Sequence, residues 1–87
     1  MNKFMEILTP IADLLERKNT DYGNSYNETR REFGPVAFLL RLNDKFARLK
    51  TLTNQEALVN DESIEDTITD IIGYCTLELQ YRQSASE

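Results

Sequence analysis

Hydrophobic residues recur every three or four positions along most of the chain, which is the spacing that places them on one face of an α-helix. The first such segment, residues 2–18, carries six large apolar side chains: Phe4, Ile7, Leu8, Ile11, Leu14 and Leu15. Thr9-Pro10 interrupts this pattern, either as the start of a second helix or as a kink. The polar stretch from Lys18 to Asn24 predicts a turn, since its asparagine and glycine tolerate positive φ angles.

A short second helix is predicted from about residue 26 to residue 33. Ser25 and Glu28 have the spacing of a capping box, in which each side chain bonds a free backbone amide at the helix start. Gly34 and Pro35 are expected to end this helix and to begin the next one.

Two long helices complete the pattern. The third is predicted over about residues 35–52, with the apolar stripe Phe38, Leu42, Phe46 and Leu49. The fourth is predicted over about residues 61–82, with the apolar stripe Ile64, Ile68, Ile71, Ile72, Cys75 and Leu79. Gly73 lies within it at a cost of about 1 kcal/mol relative to alanine, and we expect it to let another helix backbone approach closely.

No run of alternating polar and apolar residues predicts a strand, so the fold is expected to be all-α. We predict a small bundle of about four helices in which the two long ones pack antiparallel. A single domain over residues 1–83 and a frayed tail at 84–87 are expected. Leu77 and Tyr81 form a second stripe on the fourth helix that a chain of 87 residues has little core to cover. This predicts a homo-oligomer, at least a dimer.

Composition narrows the classes of function. Ten basic against fifteen acidic residues give a net charge of −5, which is too acidic for a protein that wraps duplex DNA. The absence of histidine excludes His-based catalysis, and one cysteine, Cys75, excludes an internal disulfide. The N-terminus lacks the apolar core of a signal peptide, and no uncharged stretch is long enough to span a membrane. We therefore expect a cytoplasmic protein with no membrane partner.

Three basic residues, Arg41, Lys45 and Arg48, fall on one face of the third helix, with Asp44 at its edge. Like charges in two successive turns repel one another, and Asp44 relieves this repulsion only in part. The stripe is either a phosphate site, since guanidinium groups match phosphate oxygens, or a solvated face that pairs with acids of the fourth helix.

Acidic residues cluster at the start of the fourth helix. Glu62, Glu65 and Asp66 complement the positive end of the helix dipole, but Asp70 lies two turns in, on the stripe that continues to Tyr74. Asp66 and Asp70, one turn apart, either share a magnesium ion or form ion pairs with Arg41 and Arg48.

A third candidate site is the turn before the second helix. A free helix N-terminus attracts anions, and Tyr22 or Tyr26 can stack on a base. The alternative is an ordinary connection with Tyr22 in the core. The candidate ligand-binding residues from this turn are Lys18, Asp21, Tyr22, Asn24 and Ser25.

Three blocks of the sequence resemble one known family. They are NTDYGNS at residues 19–25, LRLNDKFARLK at 40–50 and DESIEDT at 61–67, the last followed by Asp70 and Gly73-Tyr74. These blocks, over residues 15–80, are similar to the nucleotide-modification-associated small helical family of phages and bacteria. The resemblance implies a connection with nucleotides and phage genomes, and it implies no particular reaction.

A more distant similarity is to the all-α nucleoside triphosphate pyrophosphatases of the MazG and dimeric dUTPase type. Those enzymes hold magnesium with clusters of acids on two paired helices. Asp66 and Asp70 stand near the second cluster, whereas the third helix offers Asp44 alone. A triphosphate site with two metals needs about four carboxylates.

The leading hypothesis is a phage-type, oligomeric protein that binds a small nucleotide without hydrolysing it. Such a protein would sequester a cyclic nucleotide or a cyclic ADP-ribose-type immune signal, with no catalytic residue, cofactor or metal. The first alternative is a MazG-like pyrophosphohydrolase that uses magnesium with Asp44, Glu62, Asp66 and Asp70. The second is a module that inhibits a host enzyme by binding it through a helix face.

Overall fold

The computed structural model describes residues 2–22, 24–54 and 63–86, and these form four helices. They are α1 (Lys3–Tyr22), α2 (Ser25–Phe33), α3 (Val36–Asn54) and α4 (Ile64–Ser86). The described segments contain no strand, so the all-α prediction is confirmed. Within the same segments, no helix is both long and apolar enough to cross a membrane.

Helix α1 is continuous from Lys3 to Tyr22, so the predictions of a second helix starting at Thr9-Pro10 and of a turn beginning at Lys18 are wrong. Pro10 lies inside it, so Thr9 does not begin a second helix. The helix also extends four residues beyond the predicted end, through most of the predicted turn. Thr20 Oγ1 donates to the carbonyl oxygen of Glu16 at 3.0 Å, which is a bond that a threonine makes within a helix.

The connection to α2 is correspondingly tight. Asn24 has the positive φ angle of 61° that the sequence suggested for this segment, and it is the residue before the helix. Asn19 Nδ2 donates to Asn24 Oδ1 at 2.8 Å, which ties the end of α1 to this turn. The capping box predicted at Ser25 is wrong, because Ser25 is already the first helical residue and no side chain caps this end.

A capping box does occur at the start of α4. The Asp66 backbone N–H donates to Ser63 Oγ at 3.0 Å, and the Ser63 N–H donates to Asp66 Oδ2 at 3.2 Å. Each side chain thus satisfies an amide that the first helical turn leaves without a partner. The predicted start at residues 61 and 62 lies outside the described residues. At the other end, α4 continues to Ser86, four residues past the predicted end at Arg82.

Helix α4 is central, and α1 and α3 run in the opposite direction beside it. Lys45 of α3 pairs with Asp70 of α4. Arg41, one turn before Lys45 in α3, lies over Tyr74, which is one turn after Asp70 in α4. The predicted antiparallel packing of α3 and α4 is therefore confirmed. On the other side Lys18 of α1 approaches Asp70, so α1 and α3 both contact the same turn of α4.

The buried face of α4 is polar, whereas the sequence predicted an apolar one. Thr67 and Glu78 are buried, but Ile64, Ile68 and Leu79 of the predicted stripe are exposed. Helix α2 decides this orientation, because its Tyr26 and Arg30 both bond Glu78. Within the described segments, the buried hydrophobic side chains are those of Tyr26 and Ala37. The apolar residues of the helices therefore lie largely on the outside of the single chain.

Candidate functional site

A cavity of about 280 Å³ opens between α1 and α4, with α2 and α3 at its edges. Its apolar side is formed by Ile11, Leu14, Leu15 and Leu77. Its polar side is formed by Lys18, Asn19, Ser25, Arg41, Thr69 and Asp70. An apolar wall facing a few polar and charged groups is the usual composition of a small-molecule site.

Asp70 lies at the polar side between two lysines. Lys45 Nζ donates to Asp70 Oδ2 at 2.9 Å, and Lys18 Nζ lies 4.0 Å from Asp70 Oδ1. Lys18 is the more exposed of the two, with 51% of its side chain accessible against 20% for Lys45. Lys45 is therefore a structural partner of Asp70, whereas Lys18 keeps room to turn towards a ligand.

Arg41 is the second cation at the cavity. Its guanidinium carbon lies 5.9 Å from the centre of the Tyr74 ring, within the range of a weak cation–π contact. Within residues 2–22, 24–54 and 63–86, no carboxylate forms an ion pair with Arg41. A guanidinium in this position can still offer its paired N–H groups to an anion.

Two tyrosines form an aromatic wall. The ring centres of Tyr26 and Tyr74 are 6.2 Å apart, and the planes are tilted by 39°. Both rings line the cavity. Since every base presents a flat π face, a wall of this kind favours stacking with any base.

Gly73 lines the cavity between these features. A Cβ built on Gly73 would lie 3.6 Å from Leu15 Cδ1, which is ordinary van der Waals contact with a side chain. The expected close approach of another helix backbone is therefore wrong. The missing side chain instead leaves open space at the floor of the cavity.

Behind the aromatic wall lies a polar cluster in which Tyr26, Arg30 and Glu78 are buried and Arg82 is exposed. The Tyr26 hydroxyl donates to Glu78 Oε1 at 2.7 Å, and Arg30 Nε donates to the same oxygen at 2.9 Å. Glu78 Oε2 accepts from Arg30 Nη2 at 3.2 Å and from Arg82 Nε at 2.6 Å. The Tyr81 ring lies against the Arg30 guanidinium at 4.6 Å.

The protonation of this cluster follows from its bonds. Burial alone would raise the pKa of Glu78, but hydrogen bonds from Arg30, Tyr26 and Arg82 outweigh it and lower the pKa to about 2. Burial, and then the hydrogen bond to Glu78, raise the pKa of the Tyr26 hydroxyl. Glu78 is therefore an anion and Tyr26 a neutral donor at neutral pH, and their bond fixes the Tyr26 ring.

The predicted ligand-binding residues divide between the cavity and its surroundings. Lys18, Ser25, Arg41, Asp70 and Tyr74 line the cavity. Lys45 is adjacent to it through Asp70. The side chains of Asp21 and Tyr22 lie outside the described residues.

Four other predicted residues are not part of the lining: Asn24, Asp44, Arg48 and Asp66. Asn24 bonds Asn19 instead, and Asp66 caps α4. The ion pair predicted for Asp70 does exist, but its partner is Lys45 rather than Arg41 or Arg48. Of the three cations in the predicted phosphate stripe, Arg41 alone lines the cavity that the structure describes.

Sequence reasoning missed Glu78 and its partners Arg30 and Arg82. A signal was present, because Asp70, Tyr74, Glu78 and Arg82 follow one another at intervals of four on one face of α4. The sequence gives no comparable sign that Arg30, in the short α2, would reach the same face.

Comparison with protein families gives one match. Residues 18–80 match the family model described as Nucleotide modification associated domain 1. The chain belongs to this family. The segment that matches the Nucleotide modification associated domain 1 model contains every polar residue that lines the cavity.

Other comparisons add no relative. No curated protein and no solved structure matches the chain. The distant similarity to MazG-type pyrophosphatases is not shown by the comparisons.

The acidic residues offer no evident metal centre within the described segments. Nowhere in these segments do three or more His, Cys, Asp or Glu side chains cluster in a way that could hold a metal ion. Glu62, one of the acids considered for magnesium, lies outside the described residues.

Proposed function

We propose that the protein binds a nucleotide in the cavity between α1 and α4 and holds it without hydrolysing it. The observation that carries the proposal is the position of Arg41. A cation without a carboxylate partner among the described residues lies over Tyr74, in a cavity that Tyr26 also lines. A nucleotide has the complementary parts, namely an anionic phosphate and a flat base.

In this proposal, the phosphate lies at the end of the cavity formed by Arg41 and Lys18. Arg41 supplies two N–H groups, and Lys18 can leave Asp70, since its 4.0 Å contact is long. Lys45 remains on Asp70 at 2.9 Å and keeps its charge neutralised. The site can thus gain a phosphate ligand without leaving the Asp70 carboxylate unpaired.

The base is placed against Tyr26 and Tyr74, with Leu77 on the apolar side. The bond from Tyr26 to Glu78 holds its ring in position, so little side-chain entropy is lost when a ligand stacks there. Ser25 and Asn19 at the rim can bond ribose hydroxyls or base edges.

Binding without turnover is supported by what the acidic residues already do. Asp66 closes the first turn of α4, and Asp70 pairs with Lys45. Cations beside Asp70 would repel magnesium rather than help to hold it. This arrangement favours the binding protein over a magnesium-dependent pyrophosphohydrolase.

The size of the cavity bears on the class of ligand. Its volume of about 280 Å³ is slightly below the range of ~300–1,000 Å³ for ligand pockets. This favours a ligand with one nucleotide unit in each chain. We propose a cyclic nucleotide or a cyclic ADP-ribose-type messenger, which a phage protein would sequester as a sponge.

The first experiment is a thermal-shift screen of nucleoside mono-, di- and triphosphates, cyclic mono- and dinucleotides and cyclic ADP-ribose. A ligand at 100 times its Kd stabilises the folded state by ~2.7 kcal/mol, which is readily detected. No shift with any of these compounds contradicts the proposal.

The second experiment separates binding from turnover. The protein is incubated with each ligand, and with triphosphates plus magnesium, and is then denatured so that the released compound can be analysed. Intact ligand supports sequestration. Nucleoside monophosphate and pyrophosphate, formed at a rate that Asp70→Asn abolishes, would establish the pyrophosphohydrolase instead.

A further inference from the structure

The single chain exposes more surface than a compact protein of its size. Its accessible surface is 6873 Å², whereas a monomer of 10.1 kDa is expected to expose about 5,300 Å². Its radius of gyration is 14.4 Å, against about 12 Å for a compact domain of 87 residues. The surplus of roughly 1,600 Å² is twice the area of about 800 Å² that each partner contributes to a standard interface.

Part of the exposed apolar surface surrounds one groove. The groove, of about 660 Å³, runs between α1 and α4 and has an apolar centre formed by Leu8, Ile11, Leu15, Ile72, Leu77 and Leu79. Leu79 is 60% exposed and Leu8 43%. Beside it, Phe4 and Ile7 of α1 are also exposed.

The rim of the groove has the composition of a protein interface. Asn19, Thr76, Gln80 and Gln83 surround the apolar centre, and Glu16 is the single charged residue of the lining. Interfaces between proteins have this apolar centre and polar rim, with few charges in the middle. Exposed apolar residues also occur on α3, among them Leu39, which serves below as the comparison for the groove.

We propose that a second copy of this chain docks on the α1/α4 groove and supports one wall of the nucleotide cavity, an inference that rests on the proposed function. Each copy offers both the groove and the apolar edge of α1 beside it, so two copies can cover one another by a two-fold axis. Two chains of charge −5 meet through a surface that carries little charge, which keeps their repulsion small.

The cavity is affected because it shares a wall with the groove. Ile11, Leu15, Asn19 and Leu77 line both. A copy seated on the groove therefore packs against the wall that supports the bound nucleotide and holds it in place. Because the same contact serves both events, nucleotide binding and dimerisation must strengthen one another.

The test compares two leucines of equal exposure. Leu79 and Leu39 are both 60% exposed on long helices, but Leu79 lines the groove and Leu39 does not. Light scattering without nucleotide is expected to give twice the 10.1 kDa mass for the wild-type chain and for Leu39→Glu, and the single-chain mass for Leu79→Glu. Since Leu79 is exposed, its variant should keep its helical circular dichroism spectrum; Leu8→Glu is the second variant.

Nucleotide binding is then measured with AMP, 3′,5′-cyclic AMP and cyclic ADP-ribose as probes. Leu79→Glu should bind at least about tenfold more weakly than wild type, and Leu39→Glu should bind equally well. A tenfold change corresponds to ~1.4 kcal/mol of coupling.

Several outcomes overturn the inference. A wild-type monomer would mean that no second copy covers the groove, and a Leu39→Glu monomer would place the interface on α3. A monomeric Leu79→Glu that binds nucleotide as tightly as wild type would disprove the coupling while leaving the proposed function intact. If the wild-type chain binds no nucleotide, the proposed function and the coupling are wrong, and the mass measurement still decides the docking surface.

Discussion

Two carboxylates on α4, Glu78 and Asp70, show how the same chemical group takes two roles in one helix. They lie eight residues apart, or about 12 Å along the axis. Both Glu78 oxygens accept bonds from Tyr26, Arg30 and Arg82, and 4% of its side chain is exposed. Asp70 is 27% exposed, has one close lysine and one distant lysine, and faces a cavity.

The difference indicates where binding is possible. A carboxylate whose acceptor sites are all occupied can only hold the structure together, and its cluster has no capacity for a ligand. A partly exposed carboxylate with a loosely held lysine leaves charge available. We therefore assign stability to the Glu78 cluster and ligand binding to the surroundings of Asp70, and the predictions below test that division.

The largest expected effect is on stability, from Glu78→Gln. The change leaves the buried Arg30 guanidinium without its counter-charge, and breaking a buried pair in this way costs ~3–5 kcal/mol. Urea denaturation should show this loss as a lower midpoint. Glu32→Gln, at an exposed glutamate of α2, is the matched control and should change stability by less than ~0.5 kcal/mol. Equal effects of the two changes would contradict the structural role of the cluster.

The same cluster predicts an acid transition. Because the folded-state pKa of Glu78 is lowered from 4.5 to about 2, its contribution is fully present above pH 4.5 and is lost as the pH falls towards 2. Unfolding free energies measured between pH 6 and pH 2 should decrease over this window. The Glu78→Gln variant should show a smaller decrease, and an unchanged profile would count against the assigned bonds.

The next effect is on affinity, from Arg41→Ala. Loss of charge-assisted hydrogen bonds to phosphate costs ~1.5–3 kcal/mol, or ~10- to 150-fold in Kd. Calorimetric titration with the ligand that gives the largest thermal shift measures this change in Kd. Arg48→Ala, two turns further along α3, is the comparison, since Arg48 does not line the cavity. If Arg48→Ala weakens binding as much, the whole basic stripe of α3 binds phosphate, as the sequence first suggested.

The smallest expected effects come from Gly73→Ala, which should stabilise the fold and weaken ligand binding. Gly73→Ala should raise the free energy of unfolding by ~0.5–1 kcal/mol through helix propensity, because its Cβ meets Leu15 only at 3.6 Å. The same methyl group enters the cavity and should weaken ligand binding by ~1 kcal/mol, roughly fivefold. Thermal unfolding and titration of the same sample give both quantities.

A second glycine provides the contrast. Gly34→Ala should destabilise the protein by ~1 kcal/mol or more, because Gly34 has a φ angle of 76° that side chains disfavour. It should leave the affinity of the remaining folded protein unchanged, since Gly34 is not part of the cavity lining. If Gly73→Ala strengthens ligand binding, the base does not lie over Gly73.

The helices themselves were predictable from the sequence because their signals are local. Spacing of apolar residues located the three longer helices, and Gly34-Pro35 marked the boundary between α2 and α3. The ends were harder: α1 continues through Pro10 and into the predicted turn. A few hydrogen bonds, such as the one from Thr20 to Glu16, decide where a helix ends. The sequence pattern does not show whether these bonds form.

Among the candidate residues, the types were predictable and their partners were not. Lys18, Arg41, Asp70 and Tyr74 stand out in the sequence by charge or by position, and they line one cavity. That Lys45 would pair with Asp70 while Arg41 stayed without a carboxylate depends on the register of α3 against α4. One turn of difference in that register would exchange their roles.

The sequence alone therefore determined the helical fold, the acidic charge and the family, since each follows from residue types and local spacing. The tertiary structure alone decided which face of α4 is buried. The predicted apolar stripe of α4 comprised Ile64, Ile68, Ile71, Ile72, Cys75 and Leu79. Ile64, Ile68 and Leu79 are exposed and the other three are half-buried, whereas Thr67 and Glu78 are buried. The reason is that Tyr26 and Arg30 of α2 satisfy the Glu78 carboxylate from a distance of about 50 residues along the chain, a pairing that no local pattern in the sequence encodes.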